Sequence, residues 1–405
     1  MSITGGRQFG TIAGKPLDGV RVLELARVLA GPWAGQLLAD LGADVVKVEH
    51  PVGGDDTRNW GPPFVPAADG GNLSAGYFHS TNRGKRSVTA DLETVEGRSF
   101  VATLAANADI LIENFKVGGL ARYGLDYPTL AISSPRLIYC SVTGFGQDGL
   151  YAHRPGYDFM IQGLGGIMSL TGEPEGEPVK MAVAFADIFT GLYAANAVLA
   201  ALQGRTRTGR GCHIDSSLLD TQVAVLGNQG MIQLLTGHPP ARVGNAHTSI
   251  VPYQVFRVAD GHLIIACGND GQFRRLCEVL GTAWAEAPDF ATNPERVRNR
   301  AILVSLVAAA TLAWKKADLL AALVKAAVPA GPINTLPEVF SDPQVVARGL
   351  VIELPDDAAE GGSVPALRSP LVIDGVPAVA ERSAPRLGQH DSEILLDPHW
   401  GGLGS

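Results

Sequence analysis

Residues 16–51, PLDGVRVLELARVLAGPWAGQLLADLGADVVKVEHP, read as one complete strand–helix–strand unit. Val20, Val22, Leu23 and Leu25 form a short apolar run suited to a strand buried in a parallel sheet. Ala34, Leu37, Leu38 and Leu41 then recur at i, i+3, i+4 and i+7, the spacing of one helix face. Gly31-Pro32 opens that helix and Gly42 closes it, the expected asymmetry of helix ends. Val45, Val46 and Val48 supply the second strand. The turn Arg27-Val28-Leu29-Ala30-Gly31 therefore falls where a doubly wound sheet presents its ligand-binding edge. It lacks G-x-G-x-x-G, so it is not an ordinary dinucleotide turn.

Working outward, 405 residues are more than one core usually takes, which predicts two domains or a large domain with an insertion. Hydrophobic content of 46%, charged content of 18% and a mean hydropathy of +0.14 describe a well-buried globular enzyme rather than a disordered or fibrous chain. A formal net charge of −8 with no basic tail argues against a nucleic-acid partner, while leaving room for a local basic pocket. Cys140, Cys212, Cys267 and Cys277 show neither C-x-x-C nor metal-ligand spacing and read as reduced thiols, so no metal site is expected. The N-terminus has no leader pattern, and no apolar run approaches the roughly 20 residues of a membrane span. A cytoplasmic location with no membrane partner is expected.

Strand and helix patterns alternate over about the first 200 residues, the mark of βαβ units. After a Gly- and Pro-rich loop at 52–72 come a strand at 87–92, a helix at 93–106, strands at 110–112 and 137–140, a long alanine-rich helix at 188–202 and a strand at 213–215. The pattern then changes. Tyr253-Gln-Val-Phe256 and His262–Cys267 flank Ala259-Asp260-Gly261, a hairpin signal, and helices follow at 272–280 and 301–327. The expected division is a large parallel-sheet domain at 1–224, a smaller α+β domain at 225–325, and a Pro-rich return segment at 326–405 that packs on the large domain.

Three places could carry chemistry. Gly144-Phe-Gly-Gln-Asp-Gly149 spells G-x-G-x-x-G after a strand, but an NAD-dependent reading needs a helix to start at Gly149, and Pro155-Gly156 argues against one. Asp187 stands at the head of the long helix. As an N-cap it would accept bonds from the free N–H groups there; as a carboxylate kept ionised by the helix dipole it would be a nucleophile. Spacing leaves both readings open. The basic cluster Asn82-Arg-Gly-Lys-Arg86, with Lys116 and Arg122, is either a solvated surface or a phosphate cradle.

The chain resembles the class III CoA-transferases, the family of formyl-CoA transferase and the carnitine and bile-acid CoA-transferases. The segments that carry the resemblance are residues 16–32, LGADVVKVEHPVGGDDTR at 41–58, NRGKRSV at 82–88, DILIENFKVGGLARYGL at 109–125 and SVTGFGQDGLYA at 141–152. GYDFMIQGLGGIMSLTG at 156–172, ADIFTGLYAANAVLAAL at 186–202, RTGRG at 207–211, GNAHTSIVPYQVF at 244–256 and VPAGPINTLPEVFSDPQVVARG at 328–349 continue it in order along nearly the whole chain.

The resemblance implies a Rossmann-like large domain with a parallel sheet, a smaller domain, and two chains interlocked as a homodimer. It implies an enzyme that moves CoA from an acyl-CoA donor to a carboxylic acid, with CoA and acyl-CoA as substrates and no permanently bound cofactor. Asp187 matches the family's nucleophile, which passes through a mixed anhydride to an aspartyl-CoA thioester. Val28, Leu29 and Ala30 match backbone contacts with CoA, Lys85 and Arg86 the segment beside the nucleotide, and Arg122 a further CoA-contacting arginine. His50 stands where relatives often carry arginine, and Leu29 replaces the glutamine of formyl-CoA transferase, which disfavours formate–oxalate chemistry. Gly268–Gln272 matches a glycine loop that can shield intermediates.

The α-methylacyl-CoA racemases of the same family are the alternative, but their Gly-His-Asp is Gly156-Tyr157-Asp158 here, and a tyrosine is a poor second acid/base at neutral pH. A non-catalytic CoA-binding protein, with Asp187 only a cap, is the remaining reading. For the acceptor, Arg58, Arg154, His247 and Tyr253 could hold a second carboxylate, as in members that use succinyl-CoA and dicarboxylates.

Overall fold

Strand β1 (Arg21–Glu24) enters a parallel sheet with Val22 and Leu23 both fully buried, so it is covered on both faces. The structure, a computed structural model, describes residues 14–402; the N-terminal leader expectation concerns residues outside that range. From β1 the chain passes through helix α1 (Ala30–Asp40), β2 (Asp44–Glu49), β3 (Lys85–Thr89), α2 (Val95–Asn107), β4 (Ile110–Glu113), α3 (Tyr127–Ser133), β5 (Ile138–Thr143), α4 (Asp158–Leu164), α5 (Phe185–Thr208) and β6 (His213–Ser217). The six strands pair in parallel in the order β3-β2-β1-β4-β5-β6. That order reverses between β1 and β4, and a doubly wound sheet leaves its ligand crevice at such a reversal.

Strand alternation sorts the apolar side chains into two layers. Val22, Val45, Ile110, Ile138 and Cys140 pack with Ala34 and Leu38 of α1 and Ala194 and Val198 of α5. Leu23, Val46, Leu111 and Tyr139 pack with Val101 and Leu104 of α2, Leu130 of α3, and Trp400. Helices α1 and α5 approach closely because Gly191 has no side chain: a Cβ there would lie 2.6 Å from the Ala30 carbonyl oxygen.

The chain divides into two units. The larger holds residues up to Ile167, Lys180–Met231 and everything from Pro343 onward; the smaller holds Met168–Val179 and Ile232–Asp342. The small unit thus begins later than residue 225 and retains 326–342, which the sequence reading placed with the return segment. It also claims an excursion at 168–179 that no composition shift signals. Within the large unit the return segment closes the β3 edge: the N–H of His390 donates to the Ser87 carbonyl at 2.9 Å and that of Thr89 to Asp391 at 2.7 Å. The Trp400 indole donates to Asp44 at 2.7 Å.

The small unit has a hairpin of β7 (Tyr253–Val258) and β8 (Gly261–Ala266), with β9 (Ala330–Pro332) antiparallel on the other edge of β8. Phe256, Leu263 and Ile265 pack with Phe273 and Leu276 of α6 (Asp270–Leu280), Leu303 and Val307 of α7 (Arg300–Thr311), and Leu319 and Leu323 of α8 (Lys316–Lys325). The single helix expected at 301–327 is two helices, interrupted at 312–315 so that both can cover one small sheet. A second correction concerns α5: it is 24 residues, long and apolar enough by length and composition to cross a membrane. Ala194, Ala195 and Val198 instead bury one of its faces in the sheet core.

Gly191→Val places two methyl groups against a carbonyl that cannot retreat. It is expected to lower stability by about 1–3 kcal/mol, read as a fall in the denaturant midpoint with no change in oligomer size.

Candidate active site

Beneath the first turn lies a fully buried set of charges. Lys47 of β2 donates to Glu24 at 3.1 Å and to the Ala26 carbonyl at 2.7 Å, and pairs with Asp55 at 3.0 Å. Lys85 of β3 donates to Glu24 and to the Pro32 carbonyl and Asn82 Oδ1, each at 2.9 Å. Beside them Arg58 donates twice to Glu49, at 2.8 and 2.6 Å. Three cations, Lys47, Lys85 and Arg58, thus balance three anions, Glu24, Asp55 and Glu49. Burial alone would lower Lys47, but Asp55, Glu24 and Glu49 outweigh it and hold its pKa above the ordinary lysine value. At Lys85, by contrast, burial wins, and the pKa falls to about 8 despite Glu24. For Glu49 and Asp55 burial is outweighed in turn, by Arg58 and Lys47 respectively, and both stay below the usual carboxylate range. Gly35 gives this cluster room, since a Cβ there would fall 1.9 Å from a Glu24 oxygen.

The cluster fixes the turn above it. Val28 has φ of +72°, an outlier for a β-branched residue. Its N–H donates to both oxygens of Asp55 at 3.2 Å. Across the strand-order reversal, Asn114 grips the turn with two bonds to Arg27, accepting from its N–H at 2.9 Å and donating to its carbonyl at 2.7 Å. Leu29, the N-cap of α1, supplies no side-chain acceptor, so the helix opens with N–H groups at Ala30 and Gly31 that no side chain caps.

Asp187 lies in the first turn of α5, three residues past its N-cap Ala184. It is not the cap. Asp158, the first residue of α4, takes that role across 28 residues: its Oδ1 accepts from the Ala186 N–H at 2.8 Å and the Asp187 N–H at 3.4 Å. Gln162 orients Asp158 by donating to its other oxygen at 2.7 Å, and itself accepts from the Met181 N–H at 2.8 Å. The Asp187 carboxylate, by contrast, receives no hydrogen bond among the described residues. Burial first, and the Asp158 charge second, push its pKa up to about 7, which corrects the expectation that the helix end keeps it fully ionised. Gly191, four residues on and therefore on the same helix face, packs against Ala30 and Trp33. Asp187 accordingly projects one helical turn, about 5.4 Å of rise, from the contact with the first turn of α1. Tyr77 faces the same space: burial, then the charges of Asp187, Asp158 and Asp55, raise its phenol to about 12. Its ring packs edge-on to Trp60 at 5.3 Å.

The other expected residues fall elsewhere. Lys85 has its three donors committed internally, and Arg86 is paired with Asp44, Glu393 and Asp397. Strand alternation sends the two to opposite faces of the sheet, and on each face the side chain is taken up by partners within the chain. Arg122 is exposed and bonded to Glu93 and Tyr123, and His50 is exposed with Nδ1 on the Val52 N–H at 3.1 Å. Arg58 is consumed by Glu49 and stacks over Phe78 at 3.8 Å, so it offers nothing to an acceptor carboxylate. Arg154 remains exposed, stacked over Tyr151 at 4.5 Å. His247 and Tyr253 belong to the small unit, their rings 5.2 Å apart. Gly268–Gln272 is not an open glycine loop: Asn269 caps α6, and the Gly268 N–H donates to Gln272 at 2.7 Å. No helix starts at Gly149. Gly144 and Gly156 instead let two backbones touch, a Cβ on either meeting the other's Cα within 2.6 Å. No group of His, Cys, Asp and Glu among the described residues could hold a metal.

The turn at the reversal of a Rossmann-order sheet, with a desolvated carboxylate beside it, is the candidate active site of an enzyme. The profile of CoA-transferase family III matches residues 17–391, and the chain belongs to that family: it is a CoA-transferase acting on acyl-CoA and a carboxylate. It is 57% identical over 383 residues to a succinate–glutarate CoA-transferase of Agrobacterium fabrum, covering 94% of this chain and 95% of that protein. It is 42% identical to succinyl-CoA:glutarate CoA-transferase of Mus musculus, covering 97% of this chain and 89% of that one. Its fold is similar to the crystal structure of a CAIB/BAIF family protein from Brucella suis, with TM-score 0.83 and 56% identity over 94% of this chain and 98% of that one.

Two outcomes are expected. Lys47→Met leaves Glu24 and Asp55 buried without their shared cation and should cost roughly 3–5 kcal/mol, measured by denaturant unfolding. Asp187→Asn should raise the melting temperature relative to the parent above pH 7 and make little difference near pH 4. A carboxyl group whose folded pKa is raised from 3.8 to about 7 contributes fully below the unfolded value and loses that contribution as pH climbs through the folded one.

Proposed function

We propose that this CoA-transferase takes CoA from succinyl-CoA and gives it to a dicarboxylate of the glutarate type, through a covalent thioester on Asp187. The observation that carries the reading is the unpartnered Asp187 carboxylate at the start of α5, desolvated yet only half-buried. A carboxylate stripped of hydrogen bonds is a stronger nucleophile than a solvated one, and a pKa near 7 leaves about half of it ionised at neutral pH. The substrate pair is supported by the names of the similar proteins from Agrobacterium and mouse.

In the first step an Asp187 oxygen attacks the thioester carbonyl, the C–S bond breaks, and CoA thiolate leaves a succinyl–aspartyl anhydride. The thiolate then attacks Cγ of Asp187, succinate departs with the bridging oxygen, and an aspartyl-CoA thioester remains. Glutarate reverses the two steps: its carboxylate displaces the thiolate to form a new anhydride, and the thiolate attacks the glutaryl carbonyl to regenerate Asp187. The energy of the thioester is kept throughout, provided water is excluded. Asp158 holds the Asp187 backbone still while the side chain changes bonding, and the Tyr77 phenol, raised well clear of neutral pH, stays protonated as a donor for the oxygen that gains charge.

Exclusion of water and the family resemblance both favour a second copy of the chain over this face. Tyr157, Phe159, Leu164, Leu192 and Tyr193 are exposed around α4 and the start of α5, more apolar surface than a lone molecule usually shows. Four free thiols fit a reducing, cytoplasmic setting.

Mixing the enzyme with succinyl-CoA and trapping it with hydroxylamine should mark Asp187 alone, read by peptide mass spectrometry. Asp187→Ala should lose CoA exchange by about 10³-fold or more with its fold intact. The acidic limb of kcat/KM should have an apparent pKa near 7 and move to lower pH in Asp158→Asn, which keeps an oxygen for the cap but removes the charge. Retained exchange in Asp187→Ala sinks the covalent route. Exchange of the α-proton of a 2-methylacyl-CoA, without transfer to any carboxylate, would make the enzyme a racemase.

A further inference from the structure

A cavity of about 280 Å³ opens in the large unit between residues 355–358 and 382–390. His390 forms its buried wall, 6% exposed. The Ser87 N–H lies 3.1 Å from His390 Nδ1, and because a backbone N–H can only donate, Nδ1 must accept. The ring proton therefore sits on Nε2; burial, and then the charges of Arg382, Arg86 and Arg386, lower the imidazole pKa against the pull of Glu393. No acceptor among the described residues takes this Nε2–H. The residue is buried but this nitrogen faces the open cavity, where it is a free donor.

The guanidinium groups of Arg382 and Arg386 line the same space and carry no ion pair or side-chain hydrogen bond among the described residues. Neither arginine forms an ion pair with the carboxylates nearby, although Asp356 and Asp357 line the same space. Asp356 has both oxygens engaged, accepting from the Ala358 N–H at 3.0 Å and the Ser383 hydroxyl at 2.9 Å. Glu393 is bonded to Arg86, and Asp357 is exposed at the rim.

We propose that this cavity binds a small oxyanion, of the kind carried by phosphates and carboxylates, through N–H groups of Arg382, Arg386 and His390 Nε2. The site shares no residue with the first turn or with Asp187, so it stands whether or not the covalent mechanism does. Arginine forks match such anions bidentately, and a neutral imidazole adds a directed donor at the closed end.

Isothermal titration of the full chain with inorganic phosphate, in the presence of saturating CoA, tests the assignment. Saturable binding is expected, with a rise in melting temperature. Arg382→Ala/Arg386→Ala should weaken it by about tenfold or more; both side chains are exposed and free of internal bonds, so the fold has no reason to suffer. His390→Asn keeps an acceptor for the Ser87 N–H, loses the Nε2 donor, and should weaken binding less. Replacing phosphate by succinate separates the two anion sources, and tighter binding of either identifies which one the cavity prefers. No saturable binding of either anion by the parent chain, or an affinity unchanged in the double arginine variant, overturns the proposal.

Discussion

The pairing of Lys47 with Glu24 and Asp55 is the constraint on which the active region depends. These groups sit at the C-terminal edge of the sheet, where β1 ends and the chain must turn into α1. An isolated charge there would be expelled or neutralised; three cations against three anions remain because each has a specific partner. Asp55, charged and locked by Lys47, is then free to accept from the Val28 N–H and so to hold a β-branched residue in a left-handed conformation. That conformation leads the chain from β1 into the start of α1.

A parallel logic governs the head of α5. A helix of that length needs its first N–H groups satisfied, and the simplest solution would be a cap from its own sequence. The fold supplies the cap from Asp158 instead, braced by Gln162. Asp187 is thereby released from a structural duty, its carboxylate without a hydrogen bond among the described residues, and burial and the neighbouring negative charge raise its pKa to about 7. The cap and the candidate nucleophile are two carboxylates with two environments. Close packing through Gly191 then sets this helix end beside the first turn.

Much of this was legible in the chain. The apolar runs at 20–25 and 45–48, the helical spacing of Ala34 to Leu41, and the hairpin signal at 259–261 correspond to observed elements, because short-range periodicity reports burial directly. The prominence of Asp187 was visible too. The lysines misled: Lys85 and Arg86 look like a basic surface turn, and only the pairing of β3 beside β2 turns one under α1 and the other onto Asp44. Glu24 and Lys47, each a charge inside an apolar strand, were the available signal for a buried ion pair. Asp55, Gln162 and Tyr77 gave none, since nothing in a loop or a four-residue helix marks its destination.

What the sequence determined by itself was the family, the parallel α/β architecture and the candidate nucleophile, because periodicity and motif order are local properties of a chain. What only the tertiary structure decided was the state of the charges. Whether a lysine grips a ligand or a buried glutamate, and whether an aspartate caps a helix or stands free at its end, depends on neighbours tens or hundreds of residues away, and on the water that packing removes from between them.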